Sequence, residues 1–127
     1  MTPETEDKLA DLLAHLRQSG KPQSGLAPDL TPPDAATAYR VAAKVRDRLG
    51  WEVGGWKIAA NKPEMQAALR AEEPIFGSVF RHLIHKNPAT LDHSTLQHPV
   101  VECEYVVRFR DSVPPRTTPY SVADVAD

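Results

Sequence analysis

The sequence predicts an α+β fold, with helices in roughly the first fifty residues and strands after them. Three observations predict it. Leu9, Leu12, Leu13 and Leu16 fall at i, i+3, i+4 and i+7, one face of a helix. Tyr39, Ala42, Val45 and Leu49 form a second helical stripe. Beyond Gly50 that period gives way to alternation, strongest over Val100–Arg110, where Val101, Cys103, Tyr105, Val107 and Phe109 make one face. Glu102, Glu104, Val106, Arg108 and Arg110 make the other.

Each element carries its own punctuation. Thr2-Pro3 is a helix start, with threonine as cap and proline at the first helical position, and Gly20 is the stop. "KPQSGLAPDL" is a loop, Thr31-Pro32 repeats the start signal, and Gly50 closes the second helix. "WEVGGWKIAA" predicts a short strand interrupted at Gly54-Gly55. "NKPEMQAALRAEE" predicts a short helix with proline near its start, and "PIFGSVF" an extended segment. The stretch from His82 to Pro99 is turn-rich, with a short strand expected around Ala89–Leu91. Ser121 with Asp124 three residues on resembles a capping box that opens a helix. That start, so near Asp127, predicts a chain that belongs to something longer.

A length of 127 residues suits one domain with one real core. Hydrophobic residues are 41% and charged residues 25%, the ordinary globular balance. A formal charge of −2 argues against nucleic acid or an anionic membrane surface as partner, since both need a basic face. No apolar run approaches the ~20 residues of a membrane span, and the polar, acidic start is neither a signal nor a transit peptide. One cysteine cannot make an internal disulfide, so a cytoplasmic protein is expected. Twelve prolines, about twice the usual ~5%, sit at element boundaries and punctuate an ordered chain.

Glu102 and Glu104 flank Cys103 at strand spacing, which would set two carboxylates side by side on one face. By spacing alone the commoner reading is a solvated acidic face compensated by Arg108 and Arg110. As ligands, two hard oxygen donors suit Mg²⁺ or Mn²⁺ better than zinc. Lys57, between apolar neighbours in "GGWKIA", either points to solvent or supplies a fixed positive charge to an anionic substrate. His82, His85, His93 and His98 lack the partners and spacing of zinc signatures and are expected on the surface. Cys103, on the apolar strand face, is expected as a small buried hydrophobe, and Trp51 and Trp56 as core or pocket wall. There is no glycine-rich phosphate loop and no serine elbow.

"DAATAYRVAAKV", "GGWKIAANKPEMQAALRAEEPIFGSVF" and "PVVECEYVVRF" occur here in the order found in 2-keto-4-pentenoate hydratases. From about Asp34 to Tyr120 the chain resembles the N-terminal portion of that family. The family belongs with the 4-oxalocrotonate decarboxylases to the fumarylacetoacetate hydrolase superfamily. The resemblance implies N-terminal helices (1–50) followed by the beginning of a mixed β-barrel-like roll (51–127). It implies a Mg²⁺ or Mn²⁺ site whose first two carboxylates match Glu102 and Glu104, and an active-site lysine matching Lys57. The family's third acidic ligand lies further downstream, and neither Asp124 nor Asp127 matches it. The implied activity is hydration of 2-hydroxypenta-2,4-dienoate to 4-hydroxy-2-oxopentanoate in the catabolism of aromatic compounds. A homo-oligomer is expected on a separate ground: a partial roll leaves Val100–Phe109 with an unpaired edge and an uncovered apolar face. Two departures stand out: Ala59 where relatives commonly carry glycine, and Ile75 where many carry an acid implicated in proton transfer. Decarboxylase-like and acylpyruvate hydrolase-like activities, and a non-catalytic interaction fragment of the same fold, therefore remain alternatives.

Overall fold

The computed structural model describes residues 1–126; Asp127 lies outside the described residues. The chain forms two compact units, one over Met1–Gln97 and one from His98 onward. The first holds helices α1 (Pro3–Ser19) and α2 (Ala35–Leu49), strand β1 (Val53–Ala59), helix α3 (Pro63–Leu69) and strand β2 (Ile75–Phe80). The second holds one helical turn, α4 (Val122–Val125). The α+β prediction is met by the helices together with a small antiparallel sheet.

α1 begins and ends where its punctuation places it. The Thr2 hydroxyl accepts the Thr5 N–H at 3.2 Å, and Gly20, at φ 65°, donates its N–H to the Leu16 carbonyl. α2 begins later than Thr31-Pro32 predicts. Asp34 is its cap and accepts the Thr37 N–H at 2.7 Å; Thr31 instead closes a 3₁₀ turn over Pro28–Leu30. The proline pair explains the shift, because a residue before proline is driven out of the helical region. The α2 stripe is also rotated. Thr37, Val41 and Leu49 are buried while Ala42 is exposed. Tyr39 leaves the helix pair and stacks on Phe76 of β2, with ring centroids 4.4 Å apart.

Leu9, Ala10, Leu30 and Val41 form one core cluster, and Ala14, Leu49 and Phe80 a second, against which Val45, Trp51 and Val53 pack. Glu6 meets Arg40 near the start of both helices, and Asp11 meets Arg48 further along both, so α1 and α2 run in the same direction. Residues 20–34 therefore return along the pair, and Leu30 is buried on the way.

A row of ion pairs stitches the two helices. Arg40 reaches Glu6 at 2.8 Å; Lys44 reaches Glu6 at 3.4 Å and Asp7 at 3.1 Å; Arg48 reaches Asp7 at 2.7 Å and also Asp11. Glu6 is buried, yet the Arg40 hydrogen bonds, aided by Lys44, hold its carboxyl below the usual range against the opposing cost of desolvation. Arg48 and Lys44 do the same for Asp7.

β1 and β2 pair antiparallel, with Lys57 opposite Gly77 and Ile58 opposite Phe76. The expected break at the glycine pair is a β-bulge between Val53 and Gly55. Gly54 sits where a Cβ would lie 2.6 Å from the Ile84 Cδ1 and 3.1 Å from the Arg81 Cα.

Two expected strands do not form. Ala89–Leu91 is irregular, between 3₁₀ turns at Arg81–Leu83 and His93–Thr95. Val100–Arg110 is extended by pattern but belongs to no sheet, because a strand needs a partner ladder as well as an alternating sequence. Cys103 is consequently exposed, not buried. The helix expected at Ser121 is present with its capping box: Ser121 Oγ accepts the Asp124 N–H and the Asp124 carboxylate accepts the Ser121 N–H at 2.7 Å.

Two outcomes follow. Gly54→Ala should lower stability by about 1–3 kcal/mol in urea unfolding, through the clash with Arg81 and Ile84. Gly55→Ala, whose Cβ meets nothing within 4 Å, should leave the midpoint nearly unchanged. The depressed Glu6 and Asp7 carboxyls also fix an acid limb. Their contribution is complete above the ordinary values of 4.5 and 3.8 and is lost as pH falls below these through the folded values. Glu6→Gln should flatten that decline in a pH series of thermal melts.

Candidate functional site

Lys57 is placed by β1. Its neighbours of opposite parity, Trp56 and Ile58, lie on the face of Phe76, which α2 reaches through Tyr39. Alternation puts Lys57 on the other face, with Gly55, Ala59, Ile75, Gly77 and Val79. Two of these neighbours are glycine. A Cβ built at Gly55 or Gly77 would meet nothing within 4 Å, so the face that carries the half-buried lysine has room for a side chain at both glycines. A lysine held on a rigid ladder is suited to supply a fixed positive charge to an anionic small molecule.

The hairpin is held from its helix-facing side. The Phe76 N–H donates to the Tyr39 hydroxyl at 3.3 Å, and Trp56 meets Phe76 edge-on at 5.8 Å. At the other end Trp51 meets Phe80 edge-on at 5.2 Å and His82 at 4.6 Å. Trp51 is thus core wall as expected, whereas Trp56 is 56% exposed. The turn out of β1 puts Ala60 at φ 57°, and its carbonyl accepts from the Gln66 amide of α3 at 2.9 Å.

Glu102 and Glu104 belong to the second unit, where both are exposed on a segment outside any helix or strand. Two carboxylates two residues apart are hard donors that fit Mg²⁺ or Mn²⁺ as part of a ligand set. Among the described residues no group of three or more His, Cys, Asp or Glu is gathered as a metal site, so any such set takes further oxygens from elsewhere. His82, His85, His93 and His98 are exposed, as expected. Within this unit Arg116 is the organiser. It pairs with Asp124 at 2.6 Å, donates to the carbonyls of Thr118 and Pro119, and lies 3.7 Å over the Tyr120 ring. The Arg116 hydrogen bond, with those from Ser121, holds the Asp124 carboxyl below its usual range.

Sequence reading singles out Lys57 but gives no sign of the glycine that faces it. The cross-strand partner, Gly77, is visible only once the register is known. It also missed Tyr39 as the support of β2, because Tyr39 was assigned to the helix-pair stripe.

Gly77→Leu is expected to fold with a thermal midpoint close to that of the unchanged chain, since nothing occupies the space. It should slow acetylation of Lys57 relative to Lys62, read by mass spectrometry. Equal labelling of Lys57 in both proteins would show that the space beside it is not as open as the hairpin implies.

No family model matches the chain, and no solved structure matches it. Among the described residues no helix is long and apolar enough to cross a membrane. Curated proteins do match. A 2-keto-4-pentenoate hydratase of Paraburkholderia xenovorans (strain LB400) is 34% identical over 107 residues, and a 2-keto-4-pentenoate hydratase 3 of Pseudomonas putida is 34% identical over the same length. The match takes in 82% of this chain and 40% of each relative. The chain is therefore a homologue of 2-keto-4-pentenoate hydratases over most of its own length, and it spans about two fifths of theirs.

Proposed function

We propose that the chain supplies the first part of the site of a 2-keto-4-pentenoate hydratase-like lyase. In that protein the hairpin would belong to a mixed β-barrel-like roll of the fumarylacetoacetate hydrolase type. The observation that carries this reading is the homology to hydratases over 82% of the chain; within it the site residues Lys57, Glu102 and Glu104 follow from the resemblance of "GGWKIA" and "PVVECEYVVRF". The room at Gly55 and Gly77, on the face of the hairpin that carries Lys57, supports it.

In this reading Glu102 and Glu104 hold Mg²⁺ or Mn²⁺, with further oxygen ligands from outside these residues. When bound, the cation supplies Lewis-acid stabilisation of negative charge on a 2-oxo acid or its enol. Lys57 adds a fixed positive charge that favours the anionic substrate and the enolate that develops from it. Gly55 and Gly77 leave room for the carbon skeleton beside the ammonium. The overall conversion takes 2-hydroxypenta-2,4-dienoate through its conjugated ketone tautomer, to which water adds to give 4-hydroxy-2-oxopentanoate. Ile75 cannot carry a proton, so that task falls to another group or to water.

Binding tests this directly. Mn²⁺ followed by electron paramagnetic resonance should associate with the chain, and Glu104→Gln should weaken it at least about tenfold by removing one charged ligand. Oxalate, a planar mimic of the 2-oxo acid enolate, should bind more weakly to Lys57→Met while Mn²⁺ affinity holds. The chain alone should convert 2-hydroxypenta-2,4-dienoate slowly or not at all, because two carboxylates leave the ligand set incomplete. Mn²⁺ binding indifferent to both glutamates would overturn the assignment.

A further inference from the structure

We propose that the hairpin face carrying Lys57 selects a 2-oxo acid with one carboxylate and an apolar tail, and that Ile75 is the residue that reads the tail. The proposal rests on the reading of Lys57 as a charge that meets the substrate, and goes beyond it by choosing a monoacid over a diacid.

The register fixes what lies on that face. Gly55 stands opposite Val79, Lys57 opposite Gly77, and Ala59 opposite Ile75. These pairs alternate with Trp56–Ser78 and Ile58–Phe76, which belong to the other face. Among the described residues of the ladder on the first face, Lys57 is the ionisable one, and the rest are glycine, alanine, valine and isoleucine. None of those others can donate or accept a hydrogen bond through its side chain. Ile75 and Val79 flank Gly77 on β2, each diagonal to Lys57, where residues stand about 7–8 Å apart. Gly77 has room for a side chain, so nothing of its own keeps a ligand off the sheet between them. A short acid that meets the lysine therefore brings its far end to one of these two side chains. Val79 stands beside the core residue Phe80 and is half-buried, which leaves Ile75 as the side chain that a tail meets.

A methyl group set against Ile75 sheds water favourably. A carboxylate in the same place loses hydration and gains no partner from the ladder, which is far costlier. Charged residues occur near that end, but Lys62, Glu64, Arg70, Glu72 and Glu73 lie on the connection from β1 to β2, off the ladder and mixed in sign. The face is thus built against the diacid chemistry of the decarboxylase-like alternative.

Calorimetric titration of the chain in excess Mg²⁺ tests the proposal. 2-Oxopentanoate and 2-oxoglutarate share one carbon skeleton and differ at the far end, methyl in the first and carboxylate in the second. Oxalate has no tail and reports the head alone. 2-Oxopentanoate should bind at least about tenfold more tightly than 2-oxoglutarate. Ile75→Lys should reverse that order by giving the second carboxylate a partner. Ile75→Ala should weaken 2-oxopentanoate and leave oxalate unchanged, a split that a merely structural role would not produce. Ile58→Ala, which removes an exposed apolar side chain from the opposite face, should keep the preference intact. Thermal midpoints close to that of the unchanged chain are the folding control. Equal affinity for the two tailed acids, or an order that Ile75→Lys does not alter, with oxalate still weakened by Lys57→Met, would overturn this inference and leave the hydratase-like reading standing. Oxalate binding indifferent to Lys57→Met would overturn both.

Discussion

Phe80 is the joint on which the ordered part of this chain depends. It closes β2, lies opposite Val53 across the ladder, and is buried with Ala14 of α1 and Leu49 of α2. A helix pair and a hairpin are each too small to bury their own apolar faces. Phe80 gives them a common core, and Trp51, set edge-on to it, seals the passage from α2 into β1. The position of every residue on the ladder, Lys57 included, is counted from that anchor through the bulge at Gly54. The bulge, three residues before Lys57 on the same strand, is therefore part of what places the site. Without the extra residue on β1, alternation would carry Lys57 to the opposite face.

Tyr39 supplies the second point of attachment. One buried residue would fix the hairpin's end and leave its direction free. The Tyr39 ring stacked on Phe76, with its hydroxyl taking the Phe76 N–H, fixes the far end against α2. Between these two points the helix-facing side remains thinly covered, with Trp56 and Ile58 more than half exposed. That face of the two-stranded sheet therefore stays largely open to solvent.

Much of this was legible in the sequence wherever a local rule decides the outcome. Thr2-Pro3, Gly20, Gly50 and the Ser121–Asp124 box all act within a single turn of chain, and all appear as expected. Legibility fails where the outcome depends on a distant partner. Val100–Arg110 has every local attribute of a strand, but no neighbour among the described residues supplies its ladder. Buried Glu6 is as instructive. Its sequence context reads as a solvated helix start, and only the approach of Arg40 and Lys44 from α2 makes burial affordable for a carboxylate. Lys57, Glu102 and Glu104 were nameable because a resemblance picked them out; spacing alone left each with a commonplace alternative.

The row of charges between α1 and α2 has the form of a rack. Arg40, Lys44 and Arg48 repeat every fourth residue, so sliding α2 by one turn, about 5.4 Å, would bring each cation close to where its neighbour had been. Lys44 already spans two carboxylates. Charge alone is nearly indifferent to such a slip. The memory of alignment must then reside in volume: Ala10 and Ala14 are small where Val41 and Leu49 approach, and Thr37 is buried where its hydroxyl accepts from the Arg40 that pairs with Glu6. Charge sets which helices meet, while a single added methylene at Ala10, wholly buried, would shift the whole gear.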